Sequence, residues 1–127
     1  FVERSVFTDK HCFAENCYES GKMNKIEYDI YNRWHKWLVD TFEVKPDAYI
    51  YLRTSPEVSH KRTQKRSRDG ESGIPIEYLT ILHEKHEKWM ETERKNYPVL
   101  TIDVSEDFNT QEKMESIILK IKEELLS

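Results

Sequence analysis

Two short apolar runs, Ala48-Tyr49-Ile50-Tyr51-Leu52 and Val99-Leu100-Thr101-Ile102-Asp103-Val104, set the strongest limit on how this chain can fold. Both are rich in β-branched and aromatic residues and too short for helices, so they read as buried strands. The segments around them carry helical period instead. Strands alternating with helices imply βαβ crossovers and a parallel sheet, and a parallel sheet is covered on both faces. The expected class is therefore α/β. Phe1-Val2, ahead of the polar Glu3-Arg4-Ser5, reads as the end of a third strand. Three strands are few for so many helices and the chain opens on Phe rather than Met, so the N-terminus looks cut and further strands are expected upstream. At 127 residues, with no Pro/Gly-rich linker, the sequence reads as one continuous unit.

The spacing predicts a first helix over 10–19, stopped near Gly21, and a second from Asn24 to about Phe42. The second places Ile26, Ile30, Trp34, Trp37, Leu38 and Phe42 on one face, widened by Tyr28, Tyr31 and His35. That is broader than a surface helix needs, and a partner subunit is the natural second surface. Thr54-Ser55-Pro56-Glu57 is a helix-start signal: hydroxyl cap, Pro at the first helical position, acid in the first turn. The helix it opens carries Val58, Arg62, Lys65, Arg66 and Arg68, and 69–73 interrupts it. Pro75 opens another, through about Glu93, with Leu79, Leu82, His86, Trp89 and Met90 on its apolar face. Asn109 and Glu112 have capping-box spacing for a last helix burying Met114, Ile117, Ile118, Ile121 and Leu125.

Charge and cysteine content exclude several classes. A net charge of −4 disfavours a dedicated nucleic-acid partner. No apolar run is long enough to span a bilayer, so no membrane partner is expected. Cys12 and Cys17 are five apart, neither a CxxC nor a zinc spacing, and read as ordinary thiols of a reducing compartment. The expected location is intracellular, cytoplasm or nucleus first, with the mitochondrion left open because the N-terminus looks cut. His11, His35, His60, His83 and His86 form no metal pattern.

Three places could carry chemistry, each beyond a strand or in a loop, where ligands of open α/β sheets bind. In the first, Glu3 and Arg4 stand at a strand end, with Asp9 and Phe13 following four apart. A carboxylate there could hold Mg²⁺ or accept a hydroxyl proton, the guanidinium could neutralise a phosphate, and an acceptor beside a ring suits a nucleobase. The same residues read equally as a capping Ser, a surface ion pair and a core Phe. The second is Lys61 to Arg68, where a helix of arginines runs into a loop holding Gly70 and Gly73. Phosphoryl transfer needs cations that close over the migrating group and then release it. A solvated basic face or a localisation patch would carry the same residues. The third is Asp103-Val104-Ser105-Glu106-Asp107-Phe108, a ring beside acceptors that could hold an adenine, or simply an acidic helix start.

Taken together, these segments resemble the deoxynucleoside kinases. Glu3-Arg4-Ser5-Val6-Phe7-Thr8-Asp9 with Phe13-Ala14 resembles the ERS segment of that family. Gly73-Ile74-Pro75-Ile76-Glu77-Tyr78-Leu79, with Leu82-His83 and His86-Glu87-Lys88-Trp89, is similar to the helix after the family's lid. Asp103 to Phe108 resembles the base loop of the deoxycytidine-kinase branch. The resemblance covers nearly the whole chain in order and spacing, and implies the C-terminal part of a P-loop kinase-type three-layer fold, with a lid over about 62–73.

It also implies transfer of the γ-phosphate of ATP or another nucleoside triphosphate, with Mg²⁺, to the 5′-hydroxyl of a deoxynucleoside in nucleotide salvage. On that resemblance Glu3 lies near the metal and the 5′-hydroxyl, as base or metal ligand, and Arg4 contacts the 5′-oxygen and the moving phosphate. Asp9 reads the base edge and Phe13 stacks on it. Arg62, Arg66 and Arg68 form the phosphate clamp of the lid, and Glu71 binds the sugar 3′-hydroxyl. Glu106, Asp107 and Phe108 border the donor base, and the helices within 10–43 lie near a homodimer interface. An acid at Asp9 resembles the branch taking deoxycytidine and purine deoxynucleosides, whereas a small residue there resembles the thymidine-accepting enzymes.

The departures are specific. The phosphate loop G-x-x-x-x-G-K-[ST] is absent, the only glycines being Gly21, Gly70 and Gly73. The acid that usually follows the second strand is missing, Gly70 stands where the lid often has another Glu, and His11 replaces a common aromatic. The chain by itself is therefore expected not to turn over. The rival readings are a non-catalytic kinase-fold subunit serving as a packing module, and a basic-helix module for nucleic acid or localisation built on Lys61 to Arg68.

Overall fold

The computed structural model describes residues 3–66 and 73–126. The expected strand at Phe1-Val2 falls outside them, as do Arg68, Gly70 and Glu71. The elements run α1 (Val6–Thr8), π1 (Asp9–Ala14), α2 (Glu15–Glu19), α3 (Lys25–Thr41), β1 (Tyr49–Arg53), α4 (Pro56–Arg66), α5 (Ile76–Glu93), β2 (Val99–Asp103), α6 (Gln111–Ile121) and π2 (Lys122–Leu126). β1 and β2 pair in parallel, with Tyr49 opposite Val99 and Arg53 opposite Asp103. The Val104 amide donates to the Arg53 carbonyl at 2.8 Å and closes the ladder at its carboxyl end.

The two-residue period of the strands sorts the core into two layers. Tyr49, Tyr51 and Val99 pack against Cys12, Trp89 and Met90, which bring π1 and α5 onto one face. Ile50, Leu100 and Ile102 turn to the opposite face with Val104, where Phe108, Ile117, Ile121 and Leu125 cover them. Helices therefore lie on both sides of a parallel sheet, as the strand composition requires.

Local signals place most element ends. The Ser55 hydroxyl accepts from the Val58 amide at 3.3 Å, and Pro56 opens α4. Asn24 caps α3 with a complete capping box: its Oδ1 accepts from the Glu27 amide at 2.9 Å, and the Glu27 carboxylate accepts from the Asn24 amide. Such a cap stabilises a helix by about 1 kcal/mol.

Four expectations need correction. The first helical segment begins at Val6 rather than near Lys10, with Ser5 extended just ahead of it. The last helix is capped by Thr110, not Asn109: the Asn109 amide is taken by Asp107 Oδ1 at 3.2 Å, which keeps Asn109 in the loop, and the Thr110 hydroxyl accepts from Lys113. On α6 the side packed on the sheet is Ile117, with Ile121 and Leu125 beyond it, while Met114 and Ile118 are exposed. On α3 the residue buried is His35. The apolar row faces outward, with Ile26 72%, Trp34 60%, Trp37 52% and Phe42 66% exposed. Tyr31 and His35 are the side chains that bond to the rest of the chain, so the packed stripe is the polar-tipped one.

Candidate functional site

Asp9 opens π1, and π-helical stretches inside helices are frequent at functional sites. The segment ahead of it turns sharply. Arg4 sits at φ 52°, a left-handed conformation that a non-glycine residue holds only where its surroundings enforce it. The consequence is a guanidinium 5.2 Å from the centre of the Phe13 ring. Cation and ring attract by about 0.5–1 kcal/mol at an exposed site. Arg4, Ser5, Asp9 and Phe13 together line an open depression of about 300 Å³. The structure thus brings Arg4, Asp9 and Phe13 into one constellation, with Glu3 exposed at its start.

α3 braces this constellation from behind. The Tyr31 hydroxyl donates to Asp9 Oδ2. One helical turn further on, His35 Nε2 bonds the Val6 carbonyl at 3.1 Å, and the His35 ring meets the edge of Phe7 at 5.9 Å. Burial, then the bond to Asp9, push the Tyr31 hydroxyl above its ordinary range, so it remains a donor. Burial, with the Lys10 charge adding, holds His35 below 6.5, the form that suits an Nε2–H donating to a carbonyl.

A second constellation forms around the loop after β2. Arg62, half-buried on α4, donates to the carbonyls of Val104 at 2.6 Å, Ser105 at 3.4 Å and Glu106 at 3.0 Å. Its guanidinium lies 5.2 Å from the centre of the Phe108 ring. Asp103 Oδ1 accepts from the Ser105 amide at 2.8 Å, and that bond holds the Asp103 carboxyl below its usual range. The loop carrying Glu106, Asp107 and Phe108 is therefore pinned by a cation and two side-chain turns, with Glu106 and Asp107 exposed. Arg66 is exposed in the last turn of α4, where a cation suits the helix dipole. Arg68 and Glu71 lie outside the described residues.

A third network was not anticipated from the sequence. At the carboxyl end of β1, Glu87 accepts from Arg53 Nε at 2.5 Å and from the Tyr51 hydroxyl at 3.0 Å. Burial works to raise the Glu87 carboxyl, but these two donors outweigh it and hold the group low. His86 stacks on Tyr51, donates through Nδ1 to the Leu82 carbonyl at 2.7 Å, and is held below 6.5 by burial. The nearest signal was the four-residue spacing of His83 and Glu87 on one helix face. Among the described residues both cysteines are free, and burial pushes the Cys12 thiol up to about 12, which makes it inert packing. No group of three or more metal-ligating side chains occurs among them. None of their helices is long and apolar enough to cross a membrane.

A parallel sheet clad by helices, with a ring-and-carboxylate depression on one side and an arginine-braced loop beyond the last strand, is the arrangement of a kinase-type α/β fold. Residues 1–127 match the family model described as Deoxynucleoside kinase, and the chain belongs to that family. It is 46% identical to "Deoxycytidine kinase 2" of Gallus gallus, in an alignment covering 100% of this chain and 52% of that protein. It is 44% identical to "Deoxycytidine kinase" of Homo sapiens, over 97% of this chain and 50% of that protein. It is 40% identical to "Thymidine kinase 2, mitochondrial" of Homo sapiens, over 70% of this chain and 34% of that protein. The chain spans about half the length of these deoxycytidine kinases.

Proposed function

We propose that the chain serves transfer of the γ-phosphate of ATP or another nucleoside triphosphate to the 5′-hydroxyl of a deoxynucleoside. Deoxycytidine is the first acceptor and purine deoxynucleosides are further ones. The observation that carries this reading is the depression in which Asp9, Phe13 and Arg4 meet. An exposed acceptor stands beside an aromatic ring that suits a base, and a cation lies 5.2 Å from the centre of that ring. Arg4 would contact the 5′-oxygen and the moving phosphate. Glu3 would take the hydroxyl proton or bind the metal.

The donor set fits Mg²⁺ in one way only. Mg²⁺ takes oxygen ligands, commonly one or two carboxylates with substrate phosphates completing the shell. Glu3 supplies an exposed carboxylate of that kind, and no further cluster occurs among the described residues. The bound ion would neutralise charge on the phosphates. Around the donor, Glu106, Asp107 and Phe108 would border the base, while Arg62 holds that loop in place and lies against the Phe108 ring. Arg62, Arg66 and Arg68 would form the cationic lid over 62–73, and Glu71 would bind the 3′-hydroxyl. The sequence contains no G-x-x-x-x-G-K-[ST] loop, so turnover by residues 1–127 alone is not expected.

The test is steady-state phosphorylation of deoxycytidine and thymidine by the protein at its natural full length, with Asp9→Ala alongside. The parent should favour deoxycytidine, and Asp9→Ala should move the ratio of kcat/KM values toward thymidine by about tenfold or more, the cost of losing one charged hydrogen bond. An unchanged ratio would make Asp9 a structural residue.

The outward row of α3 supports a homodimer. Ile26, Ile30, Trp34, Trp37 and Phe42 stand exposed along one helix, and a contiguous row of large apolar side chains suits an interaction face. Sedimentation at micromolar concentration should give a dimer, and Trp37→Glu should shift it to monomer. A parent that sediments as a monomer would refute the interface.

A further inference from the structure

We propose that Tyr31 is a positioning residue for base discrimination, holding the Asp9 carboxylate so that one oxygen is fixed as an acceptor toward the depression. The inference rests on the reading of Asp9 as the base-edge acceptor and adds the residue that makes it selective.

Asp9 is exposed at the rim of an open depression. A surface carboxylate swings among rotamers and offers its oxygens in many directions, so by itself it would discriminate poorly between a base edge carrying an N–H and one carrying a carbonyl. The Tyr31 hydroxyl removes that freedom by donating to Oδ2. Its own position is fixed by the helix beneath it. Tyr31 lies mid-way along α3, capped by Asn24 at one end and latched to the Val6 carbonyl by His35 one turn beyond. The latch reaches the same short segment that carries Asp9, so helix and carboxylate hold one relative placement.

The consequence is directional. With Oδ2 engaged, Oδ1 remains to accept from the base. Cytosine and adenine present an exocyclic amine, a donor that satisfies it, whereas thymine presents a carbonyl oxygen that would face it without a proton between. A fixed carboxylate makes that mismatch costly, and a mobile one can turn away from it. Tyr31 therefore belongs to the discrimination rather than to the chemistry of transfer. Removing its hydroxyl should appear in KM and in the acceptor ratio, with little change in kcat.

The experiment compares Tyr31→Phe, Asp9→Ala and the double variant in the full-length protein, measuring kcat and KM for deoxycytidine and thymidine. Tyr31→Phe is expected to raise KM for deoxycytidine about three- to tenfold, less than removing the Asp9 carboxylate itself because the acceptor remains and only its placement is lost, and to narrow the deoxycytidine-to-thymidine ratio. Placed on Asp9→Ala, it should change the ratio no further, because its partner is gone. If Asp9→Ala narrows the ratio but Tyr31→Phe leaves it untouched, this inference fails while the reading of Asp9 stands. An equal effect of Tyr31→Phe with and without Asp9 also overturns it, since Tyr31 would then act through the fold alone. If Asp9→Ala leaves the ratio unchanged, the reading of Asp9 fails first and the inference falls with it.

Discussion

Replacing Arg66 by alanine is expected to lower kcat roughly 10²- to 10³-fold while leaving KM for the nucleoside within about a few fold. Transfer of a phosphoryl group leaves little covalent work to the protein, so most of the acceleration comes from placing cations where charge spreads in the transition state. Arg66 is in the last turn of α4, exposed, immediately before the segment expected to close over the phosphates. Arg62, one turn earlier, is turned toward the loop after β2. Three backbone carbonyls and the Phe108 ring engage its guanidinium, so much of its charge serves the loop after β2. What singles out Arg66 is its place in the chain, at the end of α4 and next to the segment expected to form the lid. Initial rates at saturating donor and acceptor decide the matter. An unchanged kcat would remove Arg66 from the clamp, and a rise confined to the nucleoside KM would make it an acceptor-site residue.

How far the sequence went toward this picture depended on the range of the interactions involved. β1 and β2 were legible to within one residue because their apolar runs are dense and turn signals bound them. The start of α4 at Pro56 was legible because Ser55 and Pro56 act on their immediate neighbours. The face of α3 was misjudged for the opposite reason. A count of apolar positions assigns Ile26, Ile30 and Trp34 inward, but the contacts that orient the helix are Tyr31 with Asp9 and His35 with Val6, 22 and 29 residues apart. No local pattern carries that information, although two polar-tipped rings four apart amid apolar neighbours were a sign of a second packed edge. The left-handed Arg4, the turn of Arg62 into the 104–106 carbonyls and the Tyr51–Glu87–Arg53 network are likewise products of tertiary placement. The sequence singled out Arg4, Asp9 and Phe13 by residue type and spacing. Only their placement shows that Arg4 faces Phe13 while Asp9 faces Tyr31.

Trp89→Ala is expected to cost about 3–5 kcal/mol of folding stability, the range for removing a buried aromatic side chain. Trp89 is 7% exposed and sits where three parts of the chain meet. His11 of π1 stacks on its ring at 5.4 Å, Tyr49 of β1 meets it edge-on at 5.4 Å, and Cys12 and Met90 fill the space around it. The indole is thus the link between the segment carrying Asp9 and Phe13 and the sheet. Its loss leaves a cavity that a parallel strand on one side and a π-helical stretch on the other can close only in part. Because its Nε1 is buried without a hydrogen-bond partner among the described residues, Trp89→Phe keeps most of what the ring contributes and should cost much less. Denaturant unfolding of the two variants separates the explanations. A large loss for Ala with a small one for Phe would show that ring packing seats π1 on the sheet. Equal losses would mean that the indole nitrogen matters and has a partner in the folded protein, and a small loss for both would place the join between site and sheet elsewhere, with Cys12 and Met90 as the next positions to truncate.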